Sequence, residues 1–243
     1  MELTGRRALV TGAGRRVGQA IAVGLARAGC DLALHYHGAR EGVETSARDV
    51  RAAGRRAALL QADLRDAAAA RGLADQAAAL LGGLDILVNS AGIMVHQRVE
   101  DVTPETWDAT LDLNLRAYFF VAQGAIRHLR PARGRIVNLA DVAAFEPWPE
   151  YVPHGVSKAG VVMLTQGLAR ALAPDVTVNA VAPGAVLLPE AWDASTRAHF
   201  ASTTPLARLG SPDDVVQAVR YLLEGGDYVT GTTLVVDGGR LIR

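Results

Sequence analysis

Ala8-Leu9-Val10-Thr11-Gly12-Ala13-Gly14-Arg15-Arg16-Val17-Gly18 runs from a short apolar stretch into a glycine-rich turn. Beyond it, Val17, Ala20, Ile21, Gly24, Leu25 and Ala28 recur at helical spacing, and Gly29 supplies a stop. A second apolar run, 31–36, follows, so strand, turn, helix and strand make one βαβ unit. Glycines at this junction let the backbone turn tightly and approach a pyrophosphate, whose charge rests on the free N–H groups of the helix N-terminus. That context makes the turn a dinucleotide site, with Gly12, Gly14, Arg15, Arg16, Val17 and Gly18 as its expected contacts.

Outward from this unit, short β-rich runs alternate with longer Ala-rich helical stretches. The expected strands are 8–11, 31–36, 57–61, 84–89, 134–139, 176–181 and 233–236. Each is a continuous apolar run rather than an alternating one, as in strands buried on both faces of a parallel sheet. The predicted fold is therefore α/β, a doubly wound parallel sheet of about seven strands with helices on both faces. A chain of 243 residues, half of them hydrophobic, is read as one domain spanning 1–243. The stretch 187–210 lacks clear periodicity and carries Trp192 and Phe200; it is expected to be a substrate loop.

Basic and acidic residues balance at 25 each and are interspersed, which argues against nucleic acid or an anionic membrane as partner. No run approaches 18 apolar residues, and the N-terminus shows no signal-peptide pattern. Cys30 is the lone cysteine, so no internal disulfide or cysteine metal cluster forms, and the expected location is cytoplasmic. No metal site is expected. Lys158 is the only lysine among the 25 Lys and Arg. A position that keeps lysine in so arginine-rich a chain asks for a compact ammonium on a flexible stem.

The second strand ends Leu34-His35-Tyr36-His37, with Arg40 beyond it and no acid placed to bind a ribose 2′-hydroxyl. Asp31 is at the wrong end of that strand. His35, His37, Arg40, Arg15 and Arg16 favour a 2′-phosphate, so the expected cofactor is NADP(H), with Arg16 as the leading phosphate contact.

From end to end these residues resemble the short-chain dehydrogenase/reductase family, which implies a Rossmann-type sheet. The turn resembles the family's TGxxxGxG motif, with Arg16 where the middle glycine usually stands. Asp63-Leu64 resembles its adenine-contacting pair, and Asn89-Ser90-Ala91-Gly92 resembles NNAG. Asn114 is similar to its active-site asparagine. Pro183-Gly184 resembles the motif beside the nicotinamide, and Thr230-Gly231 through Asp237-Gly238-Gly239 resembles its C-terminal signature. Relatives carry a serine and a Tyr-x-x-x-Lys, in which the tyrosine exchanges a proton with the substrate and the lysine holds the cofactor ribose. With Lys158 as that lysine, the tyrosine position is His154 and the serine position is Asp141. Tyr151 is seven residues before Lys158, not four. Pteridine reductases, a branch of the family, share the arginine in the turn, the HYH-like strand end and the aspartate, but keep the tyrosine.

Pro153 suits the first turn of a helix, so His154 and Lys158 at i and i+4 share a face. Imidazole titrates near neutrality and is a competent general acid. The expected catalytic set is thus Asn114, Asp141, His154 and Lys158, with Tyr151. The expected activity is NADPH-dependent hydride transfer to a C=N or C=O group of a small, cyclic or pterin-like substrate. The alternatives are a silent nucleotide-binding sensor or scaffold, and an ordinary carbonyl reductase using Tyr151. His96, Met94, Glu146, Trp148 and Trp192 are candidates for the substrate pocket. Leu187 and Leu188 stand where many relatives put a threonine on the cofactor carboxamide. The resemblance also implies a homotetramer or homodimer.

Overall fold

A computed structural model describes residues 1–187 and 193–242. Seven strands form one parallel sheet in the order β3-β2-β1-β4-β5-β6-β7. They are β1 (Arg7–Val10), β2 (Asp31–Tyr36), β3 (Ala57–Gln61), β4 (Ile86–Asn89), β5 (Arg135–Leu139), β6 (Thr177–Pro183) and β7 (Thr233–Val236). The order reverses between β1 and β4, and a ligand crevice opens at such a switch point beyond the strands' C-terminal ends. Every residue of β2, β4 and β5 is buried, which accounts for their uninterrupted apolar character.

The sheet is sandwiched by α1 (Arg16–Arg27), α2 (Arg40–Ala52) and α8 (Pro212–Glu224) on one face, and by α3 (Ala67–Leu81), α5 (Ala117–Ala132) and α6 (Val152–Leu172) on the other. The Ala-rich composition lets α3 and α5 pack closely, with Ala70, Ala74, Ala77, Ala122 and Ala125 all buried between them and the sheet. Among the described residues, no helix is long and apolar enough to cross a membrane.

Expected and observed strands agree in number and differ only at their ends. β6 runs on through Pro183, because β5 has already ended opposite Val181 and only β7 pairs with Ala182 and Pro183. Pro183 therefore needs no donor on the β5 side. The expected loop 187–210 contains a helix, α7 (Ala194–Ser202), capped by the Asp193 carboxylate on the Thr196 N–H. Its weak apolar periodicity hid it: none of its residues is fully buried. Leu188 and Trp192 lie outside the described residues.

Candidate active site

The glycine turn lies where the sequence placed it, between β1 and α1. Gly12 has φ +68°, and a Cβ there would come within 2.8 Å of Ala91 Cα. A Cβ on Gly18 would meet Gly12 O at 2.3 Å, so only glycine lets α1 start this close to the turn. Arg16, at the usual middle glycine, takes the left-handed conformation with φ +53°. The N-cap residue, Arg15, makes no side-chain capping bond, and no acid occupies the first turn of α1. The positive end of this helix thus offers its N–H groups beside two guanidinium groups, which fits a dinucleotide pyrophosphate.

Arg16 does not point towards the end of β2, where the sequence reading sent it. Its guanidinium donates to Leu187 O at 2.7 Å, across the mouth of the cleft. Arg15 is exposed and makes no ion pair among the described residues. Arg40 is also exposed but pairs with Glu44 at 2.9 Å. His37 is exposed beside Asp63, 4.0 Å away.

His35 props the turn instead of facing a ligand. It is buried, Gly12 N–H donates to its Nδ1 at 3.2 Å, and Nε2 lies 3.1 Å from Ala62 O. Burial pulls its titration down to about 4, so the neutral ring holds the end of β2 against the turn. Asp63 is gripped by Arg65, chiefly through the side-chain hydrogen bonds, which lower its carboxyl to about 2. Leu64 is buried in the core between the sheet and α3. Asp31 lies at the opposite, N-terminal end of β2, tied to Arg55 and Arg56 at 2.9 and 2.8 Å.

Asn89, Ser90, Ala91 and Gly92 leave β4 at the switch point. Thr11 Oγ1 accepts from the N–H groups of Ser90 and Ala91, at 2.9 and 3.1 Å. Asn89 donates inward to Asn138 Oδ1 at 2.9 Å, a sheet-bracing bond rather than a ligand contact. Gly92 leaves room for the side chains behind it: a Cβ there would stand 3.1 Å from Asn114 Oδ1 and 4.0 Å from Lys158 Nζ. Gly184 packs on Asp237, whose Cβ would be 2.8 Å from an added Cβ.

Asn114 sits fully buried in a π-type turn, Asp112–Arg116, that joins α4 (Pro104–Leu111) to α5. The wider turn aims its amide at the loop after β4. Oδ1 accepts Ile93 N–H at 2.8 Å, while Nδ2 donates to Ile93 O at 2.8 Å and to Ser157 Oγ at 3.2 Å. His154 enters the same network, with Nδ1 3.2 Å from Ile93 O and 3.4 Å from Asn114 Nδ2. Ser157 donates to the His154 carbonyl at 2.6 Å, fixing the start of α6.

His154 Nε2 is buried, has no hydrogen-bond partner, and lies 3.7 Å from Asp141 Oδ2. Asp141 leaves β5 and caps the short turn Val142–Ala144 by accepting Ala143 N–H at 2.9 Å through its other oxygen. Lys158, one turn after His154, is buried with Nζ donating to Leu139 O at 2.7 Å and 5.4 Å from the Tyr118 ring centre. Burial lowers its ammonium to about 8, and the Asp141 charge opposes that fall. Asn114, Asp141, His154 and Lys158 thus converge. Tyr151 does not join them: it stands at the rim, edge-on to His96 and Trp148 at 5.2 and 6.0 Å. Met94 and His96 are exposed on the adjoining loop, and His96 pairs with Glu150 at 2.8 Å.

A family model described as enoyl-(acyl carrier protein) reductase matches residues 12–240. A solved short chain dehydrogenase from Burkholderia cenocepacia in complex with NADP superposes with a TM-score of 0.92 at 39% identity, covering 99% of each chain. This chain belongs to the short-chain dehydrogenase/reductase family. A 3beta-hydroxysteroid dehydrogenase of Eggerthella lenta is 37% identical over 98% of this chain and 94% of that protein. The 3-oxoacyl-(acyl-carrier-protein) reductase FabG of Staphylococcus aureus is 35% identical over 98% and 99%. Within this oxidoreductase family the sequence reading missed four groups that the fold brings to the site: Thr11, Ser157 and the carbonyls of Ile93 and Leu139. Thr11 closing the strand before the turn was a visible signal, whereas a backbone carbonyl leaves none in sequence.

Proposed function

We propose that this short-chain dehydrogenase/reductase is an NADP(H)-dependent reductase that uses His154 where relatives use tyrosine. The observation that carries the reading is the buried, unpartnered Nε2 of His154, with Nδ1 held at Ile93 O and Asp141 3.7 Å away. A buried polar atom without a partner is costly, and one aimed into a cleft is matched by a substrate atom. In its charged form the ring donates Nδ1–H to Ile93 O and keeps Nε2–H for the substrate oxygen, with the Asp141 carboxylate stabilising the imidazolium. Asn114 holds the Ile93 backbone at both its N–H and its carbonyl, so the ring's anchor stays fixed.

For the cofactor, the uncapped start of α1, Gly12, Gly18 and Gly92 supply the pyrophosphate cradle. Arg15, with His37, receives the 2′-phosphate. Lys158 lies behind Gly92 to serve the ribose hydroxyls. When bound, NADPH supplies the hydride. The expected substrate is a small molecule with a C=O group, in keeping with a hydroxysteroid dehydrogenase and an oxoacyl reductase among the relatives. A pterin-like ring C=N is the second class, favoured by Asp141, an acceptor-only group when ionised where the family carries a hydroxyl.

The test is NADPH oxidation by the purified chain across ketones, quinones, imines and pterins, with His154→Ala and Tyr151→Phe alongside. Loss of the acid lowers kcat by about a hundred- to ten-thousandfold, while NADPH affinity holds. Tight NADPH binding with no turnover of any substrate would make the chain a nucleotide-binding sensor instead. Activity that survives His154→Ala but not Tyr151→Phe moves the proton donor to Tyr151.

A further inference from the structure

Arg240 stands on the turn after β7 and folds inward, its side chain only 13% exposed. Its Nε and one terminal nitrogen donate to the two carboxylate oxygens of Glu146, at 2.8 and 3.3 Å. The guanidinium carbon lies 5.9 Å from the Trp148 ring centre and 5.3 Å from that of Phe200. Glu146 and Trp148 belong to the segment between Asp141 and His154, and Phe200 lies on α7. One side chain therefore ties the segment flanked by the proposed proton-transfer groups to α7.

The turn that carries Arg240 is itself fixed. Asp237 accepts the N–H groups of Gly239 and Leu241, both at 2.8 Å. Leu206, just past α7, donates its N–H to Gly238 O at 3.1 Å, and a Cβ on Gly238 would lie 2.5 Å from the Thr204 methyl. The C-terminal turn is thus stitched to the end of α7 by its backbone and to the inner face of α7 by Arg240. A planar fork is required, since lysine offers neither two parallel donors to one carboxylate nor a flat face to two rings.

We infer that Arg240 is a positioning residue: a clasp between the C-terminal turn, the 141–154 segment and α7 that sets the substrate wall independently of the cofactor cradle. The inference rests on the reductase reading only for its kinetic consequence. The test uses the full chain as Arg240→Met and Glu146→Gln, which cut the clasp from opposite sides. Amide hydrogen exchange in 194–204 and 145–150 is expected to speed up several-fold, with exchange in 7–27 unchanged and NADPH affinity held within about twofold. With a turned-over substrate, KM rises about tenfold and kcat changes much less, as when uniform binding is lost. Arg240→Lys is expected to behave like Arg240→Met. Unchanged exchange at 194–204 in both variants overturns the clasp, and so does acceleration spread evenly over the chain. Because exchange needs no turnover, a wild type without activity would defeat the reductase reading and leave this result intact.

Discussion

Replacing Lys158 by methionine is expected to make the protein more stable while weakening its hold on NADPH. The ammonium is buried, and burial lowers it from 10.5 to about 8. A shift of that size corresponds to roughly 3 kcal/mol against the charged native form at pH 7. Methionine keeps an unbranched stem and removes the charge. It also gives up the 2.7 Å bond to Leu139 O, worth about 1–2 kcal/mol, although the Tyr118 hydroxyl still donates to that oxygen at 3.3 Å. The net gain is about 1–2 kcal/mol, or roughly 2–8 °C in Tm for a domain of this size. The pH dependence carries its own signature. Below about pH 8 the native and unfolded chains both hold the proton, so the penalty is constant. Between about 8 and 10.5 the unfolded chain binds more protons than the native one, so wild-type stability rises and the gap to Lys158→Met closes. Urea unfolding of both proteins from pH 7 to 10 measures this. Other titrating groups, such as the Cys30 thiol that burial pushes up to about 12, cancel in the difference. NADPH affinity should fall by about ten- to a hundredfold, the value of a hydrogen bond from a charged donor. A variant less stable than wild type at pH 7, or a gap that persists to pH 10, refutes the reasoning.

Arg16→Gly and Arg16→Ala both lose the bond to Leu187 O, but only glycine relaxes the left-handed backbone, so Arg16→Gly should be the more stable by about 1 kcal/mol in urea unfolding. Equal stability would mean that the turn is not strained. Arg15→Ala should weaken NADPH about ten- to a hundredfold and leave NADH binding nearly unchanged, measured by titration of cofactor fluorescence; an equal loss for both cofactors removes Arg15 from the 2′-phosphate. Asp141→Asn retains an acceptor for Ala143 N–H but not the charge beside His154. Turnover should drop about tenfold or more with NADPH affinity unchanged, and an undiminished kcat would separate Asp141 from proton transfer.

What could be read from the chain followed from periodicity and from local spacing. Seven apolar runs became seven strands because a strand buried on both faces must be apolar throughout. His154 and Lys158 share a face because a helix with Pro153 in its first turn fixes i and i+4. What escaped depends on contacts between distant residues. Nothing near Arg16 says that its guanidinium will reach a carbonyl 171 residues away. His35 looked like a ligand contact because it lies next to the end of β2, yet its ring turns under Gly12 and accepts that residue's N–H. Arg240 and Glu146 are 94 residues apart, and their pairing appears only once β7 has closed the sheet. Helix α7 lacked a buried stripe, so no period marked it.

The same contrast explains why this chain keeps one lysine. Most other positive charges sit at or near the surface, where guanidinium pairs with two carboxylate oxygens at once, as Arg7 and Arg208 do beside Asp85 and Asp214. The buried Arg135 has both the Leu222 carbonyl and the Asp227 carboxylate to bond. At position 158 the charge is enclosed between the Leu139 carbonyl, the Tyr118 ring and the back of Gly92. An arginine there would bring a planar group with five donors into a space that offers one strong acceptor, and it could not shed its proton to relieve the burial. Lysine satisfies that acceptor with one N–H and keeps two more, the donors that the proposed ribose contact would use. Its lowered titration is a stability cost that an uncharged side chain would avoid, which is what the proposed ribose contact would offset.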